Sequence, residues 1–261
     1  MQVSSKFIAG ILSLLVLASC VTTTTGGFNT EPSRERAVSD FVQLAVGYFE
    51  AGDMAAARRN INNALALDSR SADAYNVLAL VLQREDDTEL ARETFERALS
   101  LDGSNARARN NLAALLFQLG EYEQSYRQLE LVANDTTYEN RALAFENLGL
   151  SALRTARPER AEYAFERALQ LNVNLYRSSL AMAQIKFDKG EFVEAKTHYT
   201  QFVTTSTFYN VVQTATSLWL GIQLERRLDN DGGAVLYAAL LQNLYAHSPQ
   251  YQEFLNSQHD Q

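Results

Sequence analysis

The chain has 261 residues, 46% of them hydrophobic, with 31 acidic side chains against 23 basic ones and a single cysteine. That hydrophobic share excludes a disordered tail, a formal charge of −8 repels phosphate backbones and argues against nucleic acid as a partner, and one cysteine excludes an intramolecular disulfide. Three prolines and abundant Ala, Leu, Arg, Glu and Gln favour helices nearly throughout.

At the amino end, Lys6 precedes an apolar run from Phe7 to Ala18. The run is too short for a bilayer span, which takes about 20 residues. A basic start, a short apolar core and small residues before a boundary are the parts of a secretory leader. Val21-Thr22-Thr23-Thr24-Thr25-Gly26-Gly27 follows, a polar and flexible stretch rather than a stop-transfer sequence. The boundary Leu17-Ala18-Ser19-Cys20 resembles the lipobox of bacterial lipoproteins at all four positions. The resemblance implies a leader over 1–19 and lipidation of Cys20. Two acyl chains suffice for stable anchoring. The mature chain loses Lys6 and no acid, so its charge moves to −9. Val21 is not the aspartate that retains enterobacterial lipoproteins at the inner membrane, so the resemblance places the chain at the outer membrane, facing the periplasm. Residues 20–36 read as a lipidated amino end and linker.

Next come internal repeats. Ala64-Leu65-Ala66-Leu67-Asp68 returns as Ala98-Leu99-Ser100-Leu101-Asp102, 34 residues on, and as Ala168-Leu169-Gln170-Leu171-Asn172. Around these anchors Leu44, Ala45, Tyr48, Ala57, Ile61 and Ala64 reappear as Leu78, Ala79, Leu82, Ala91, Phe95 and Ala98, and again in later units. This is the pattern of the tetratricopeptide repeat, a helical hairpin in which small residues let two helices approach and large ones fill the gap. The fold class expected is all-α, a right-handed superhelix of about six hairpins over 37–261, with repeats beginning near 38, 72, 106, 142, 176 and 214. Two extra residues near Asn134 to Tyr138 displace the fourth repeat. The sixth looks degenerate: Leu220-Gly221 fits a first helix, whereas Asp229-Asn230-Asp231-Gly232-Gly233 reads as a lengthened turn. Gly52-Asp53, Gly120-Glu121 and Gly190-Glu191 pair a helix-ending glycine with an acid suited to the next helix's start.

In such arrays the first helices line a concave groove. The repeat resemblance assigns to it Ser39, Val42, Val46 and Phe49 from the first repeat and Asp73, Asn76, Leu80 and Gln83 from the second. The third contributes Arg107, Asn110, Ala114 and Phe117, the fourth Leu143, Glu146, Leu150 and Leu153, and the fifth Arg177, Leu180, Gln184 and Phe187. Apolar knobs mixed with Asn and Arg donors suit an extended peptide or a partner helix. Val42, Val46 and Phe49 form the most apolar window, near the expected anchor. A packing reading stands beside the binding one, with these side chains covered by neighbouring helices or by the segment Phe28 to Arg36 folding back.

No ligand spacing joins His198, His247 and His259, and neither a Gly-x-Ser-x-Gly turn nor a phosphate-cradling Gly-rich loop is present. The expectation is no enzyme, no metal, no cofactor and no small-molecule substrate. Trp219 reads as core, and Tyr237, Leu240, Leu241, Leu244 and Tyr245 recur at helical spacing as the buried side of the last helix. The ending Leu244-Tyr245-x-x-Ser248-x-x-Tyr251-Gln252-Glu253-Phe254, set after a lipobox and about six repeats, resembles the type IV pilus biogenesis lipoproteins PilF and PilW. That resemblance implies a pilotin, which binds the pilus secretin and promotes its localisation or multimerisation. The rival reading is a general periplasmic scaffold for envelope enzymes.

Overall fold

The computed structural model describes residues 33–259. The expected leader, Cys20 and residues 20–32 lie outside them. The linker does not reach 36, because α1 (Arg34–Glu50) already begins at Arg34, with Ser33 Oγ accepting from the Arg36 N–H at 3.3 Å as its cap.

Among the described residues twelve helices form six antiparallel hairpins. The first pairs α1 with α2 (Met54–Leu67), the second α3 (Ala72–Arg84) with α4 (Thr88–Leu101), the third α5 (Ala106–Gln118) with α6 (Tyr122–Asn134). The fourth pairs α7 (Arg141–Arg154) with α8 (Pro158–Leu171), the fifth α9 (Tyr176–Asp188) with α10 (Phe192–Phe208), and the sixth α11 (Ala215–Arg227) with α12 (Asp231–Tyr245). α13 (Pro249–His259) closes the stack against α11 and α12. Each hairpin packs on the next, so the core is a continuous file rather than a central ball.

The repeated small residues do what their spacing predicts. Ala45, Ala79, Ala113 and Ala183 are fully buried where paired helices approach, beside large partners such as Ile61, Phe95 and Leu129. Gly149 lets α7 and α8 approach closely, since a Cβ there would stand 2.6 Å from the Phe165 ring. The residues that close the anchors are turn devices: the side-chain oxygens of Asp68, Asp102 and Asn172 accept the N–H two residues on at 2.9, 2.9 and 3.0 Å. Asp135 repeats the bond to Thr137 at 2.9 Å, and its connection to α7 carries the two extra residues.

Turns inside the hairpins pass through one left-handed residue, Gly52, Asp86, Gly120, Ala156, Gly190 or Asp229. The last of these corrects the reading of the sixth repeat. Leu228–Asn230 separate α11 from α12 just as Thr155–Arg157 separate α7 from α8, so the turn is not lengthened. Asn230 caps α12, its Oδ1 accepting from the Gly233 N–H at 3.3 Å, and both glycines lie in the helix's first turn. Gly221 faces not its own second helix but Tyr199 of the preceding repeat, whose Cζ would be 2.8 Å from an added Cβ. Tyr199 Oη donates to the Ser217 carbonyl at 2.8 Å.

The inward face of α12 differs in part from the expected one. Leu241 is buried and Tyr237 and Tyr245 are half-buried as expected, but Leu240 and Leu244 are exposed, together with Val235 and Leu236. Aligned on Ala91, Ala161 and Ala234, the positions of Leu236, Ala239 and Leu240 are Glu93, Glu96 and Arg97 in α4 and Tyr163, Glu166 and Arg167 in α8. Trp219 packs edge-on against Phe254, ring centres 6.4 Å apart, within the closing core.

Candidate partner-binding groove

First helices meet along one side of the stack, and polar rungs join them. Asn111 Nδ2 donates to Asn76 Oδ1 at 2.9 Å, Gln83 Nε2 to Gln118 Oε1 at 2.7 Å, and Asn147 Nδ2 to Asn110 Oδ1 at 3.5 Å. The rungs fix the rotation of one repeat on the next. Asn76 is accordingly buried, and Asn110 and Leu80 are half-buried. Phe117 is half-buried with its ring 5.0 Å from Tyr122, edge to face.

A second ladder runs along the second helices, where no sequence pattern announced it. Arg58 pairs with Glu85, Arg92 with Glu121, Glu162 with Lys186 and Lys189, and Lys196 with Glu225. The four donors or acceptors on α2, α4, α8 and α10 hold the same register position, and each reaches the turn or helix end of the following repeat. Charge order reverses at Glu162, so opposite charge is kept rather than residue type. Hydrogen bonds, chiefly from Lys189 and then from Lys186, hold the Glu162 carboxyl below the usual carboxylate range. Glu121 and Glu191 stand at the amino ends of α6 and α10 as expected, but their side chains make no cap bond and serve ion pairs.

The first-repeat window needs correction. Val42 is only 7% exposed, enclosed with Ala45, Ala57 and Ile61, and Val46 and Phe49 are half-buried against that cluster. The Arg84 guanidinium stands over Phe49 at 4.8 Å from the ring centre. What α1 offers to solvent is Leu44, 50% exposed, and Tyr48, 41% exposed, in a shallow hollow of about 620 Å³ completed by Asp40, Gln43, Gly47 and Ala51. The same positions in the next repeats, Leu78 and Leu82 and then Leu112 and Leu116, are half-buried or buried, Leu78 against the first hairpin and Leu112 and Leu116 against the second. No hairpin precedes α1 among the described residues, so its contact face stays open.

Further along, two hollows open between first helices. One, of about 240 Å³, lies between α5 and α7 and includes Ala114, Phe117, Asn147 and Leu150. Another, of about 280 Å³, lies between α7, α9 and α11 and includes Leu150, Leu180, Gln184 and Leu220. Arg177 lines both. Glu146, assigned to the groove, is instead buried and occupied with Ser178. Half-buried Phe117, Leu150 and Leu180 together with the exposed Arg177 can hold a peptide.

Comparison with known proteins gives the array its relatives. A family profile described as the tetratricopeptide repeat matches residues 82–144. The type IV pilus assembly protein PilF of Pseudomonas aeruginosa is 35% identical over 249 residues, covering 94% of this chain and 97% of that protein. A solved structure of Pseudomonas aeruginosa PilF superposes with a TM-score of 0.80 at 36% identity, covering 86% of this chain and 99% of the other. PilW, described as a widely conserved type IV pilus biogenesis factor, superposes at 0.68 with 25% identity over 84% of this chain and 99% of its own. Identity sustained over nearly the whole of both chains, on an all-α tetratricopeptide superhelix, places this protein in the PilF and PilW family.

Proposed function

We propose that the chain is an assembly factor of type IV pilus biogenesis and, within that role, a pilotin that binds the secretin and promotes its localisation or multimerisation at the outer membrane. The observation that carries this reading is the span of the kinship with PilF, which covers 94% of this chain and 97% of that protein. The groove would hold a segment of the unassembled secretin, and an acylated Cys20 would tether the pair to the target bilayer. Tethering raises the local concentration of the client where the ring forms. No bond-making step is needed.

Deleting the gene tests the reading. Loss of secretin multimers and of twitching motility is expected, with both restored by the wild-type chain. Cys20→Ala should still bind the secretin and leave it misplaced. An intact secretin ring in the deletion strain, with defects in cell shape instead, would assign the chain to the scaffold role.

A further inference from the structure

Most arginines of this array are already engaged. Arg58, Arg92, Arg157 and Arg160 pair with glutamates, and Arg141 and Arg154 hydrogen-bond a carbonyl and a tyrosine. Arg107, at the matching place in the third repeat, stands in a ring of acids that includes Asp73, Asp102, Asp135 and Glu139. Arg177 differs. Among the described residues its guanidinium forms no ion pair and no hydrogen bond, and it is exposed where the two apolar hollows meet.

The carboxylates of α7 and α9 are occupied. Glu146 Oε2 accepts from the Ser178 N–H and hydroxyl, and Asp188 Oδ1 accepts from Gln184 Nε2 at 2.8 Å. In a chain of net charge −8, a cation without an internal anion between two apolar hollows is a complementary surface for an outside carboxylate. Packed helices stand roughly 8–10 Å apart, and an extended peptide advances about 3.3 Å per residue with alternate side chains on one face. Three same-side residues therefore span the two hollows and the arginine between them.

We propose that this groove binds an extended peptide of apolar-x-acidic-x-apolar pattern. One apolar side chain enters the hollow of Phe117 and Leu150, the carboxylate forms a forked pair with Arg177, and the other apolar side chain enters the hollow of Leu180 and Leu220. Asn147 lies beside the path as a partner for the peptide backbone. The proposal rests on the groove being the client surface described above and specifies the chemistry of the client segment.

Selection from a random heptapeptide library on the full-length chain tests it without any secretin. Peptides with Asp or Glu flanked at two positions on each side by apolar residues should be enriched. Arg177→Glu should exchange the central preference to Lys or Arg, Arg177→Lys should keep it acidic, and Arg177→Gln should weaken the best acidic peptide by about tenfold or more. Unchanged melting temperatures establish that the variants fold. Absence of acidic enrichment, or a preference that Arg177→Glu leaves unaltered, overturns the proposal. Secretin multimers in cells carrying Arg177→Glu separate it from the pilotin reading. Loss of peptide charge preference beside a secretin defect supports both, an acidic preference with no dependence of the secretin on this chain refutes only the pilotin role, and a secretin dependence with no acidic preference refutes only the peptide chemistry.

Discussion

Glu146 Oε2 accepts the backbone N–H of Ser178 at 3.0 Å and the Ser178 hydroxyl at 2.8 Å, so a carboxylate from the fourth repeat caps the helix that opens the fifth. α9 needs it, because its own cap position is Leu175, whose side chain has no oxygen to offer. The anion also sits at the positive end of the helix dipole. Glu146→Ala leaves buried donors unsatisfied and should cost about 1–3 kcal/mol. Glu146→Gln keeps an acceptor and should cost less. Thermal unfolding of the two variants checks the order, and equal losses would show that packing rather than capping sets the cost.

Two hairpin positions carry opposite steric predictions. Gly149→Ala drives a methyl to 2.6 Å from the Phe165 ring and should destabilise by about 1–3 kcal/mol. Ala156 holds a left-handed backbone, φ 56°, at an exposed turn where three other repeats have glycine. Ala156→Gly removes the Cβ conflict of that conformation and should stabilise by about 1 kcal/mol. Urea unfolding midpoints read both signs.

Acid should weaken the stack in two stages. Burial pushes the half-buried His198 imidazole below its ordinary value, so its share of stability is full above the unfolded pKa of about 6.5 and declines as pH falls beneath it. Glu162 is depressed by Lys189 and Lys186, so its share is present above the unfolded value of about 4.3 and is lost as pH drops from there through the folded one. His198→Gln should flatten the upper part of a plot of melting temperature against pH, and Glu162→Gln the lower part. A plot unchanged by either substitution refutes the assignment.

On α1, binding and packing should separate by side chain. Leu44→Glu and Tyr48→Ala alter exposed groups and should shift stability by no more than about 0.5 kcal/mol. Val42→Ala opens the enclosed cluster and should destabilise by about 0.5–3 kcal/mol. If the open face of α1 contacts a client, the first two variants lose co-purified secretin while keeping their melting temperature. Full recovery of secretin with both would remove α1 from the client surface.

Hairpin packing was legible in the sequence because it is local: Ala45 against Ile61, Gly149 against Phe165 and the Asp68 and Asp102 turns lie within one repeat or at its end. Contacts between repeats were not. Arg58 with Glu85 and Asn111 with Asn76 join residues 27 and 35 apart, and their meeting depends on how far each hairpin rotates on the last. The same ignorance hid the fate of Leu44 and Tyr48, core by pattern but open at the first hairpin. It also let Gly221 pass for a small residue within its own hairpin when it makes room for Tyr199. Of the groove, residue types were readable; Val42, Asn76 and Glu146 proved buried because the next hairpin covers them or gives them polar partners.

The uncovered Val235, Leu236, Leu240 and Leu244 of α12 have a bearing on how this protein behaves at the bench. Dyes that brighten on apolar surfaces will stain the native fold before any heating, since that row is present in the intact structure. A fluorescence melting curve would then begin from a high baseline that falls when replacement by the Glu93 and Arg97 pattern of α4 makes the helix polar. Circular dichroism, which follows the backbone, carries no such offset, and the difference between the two signals measures the apolar row itself.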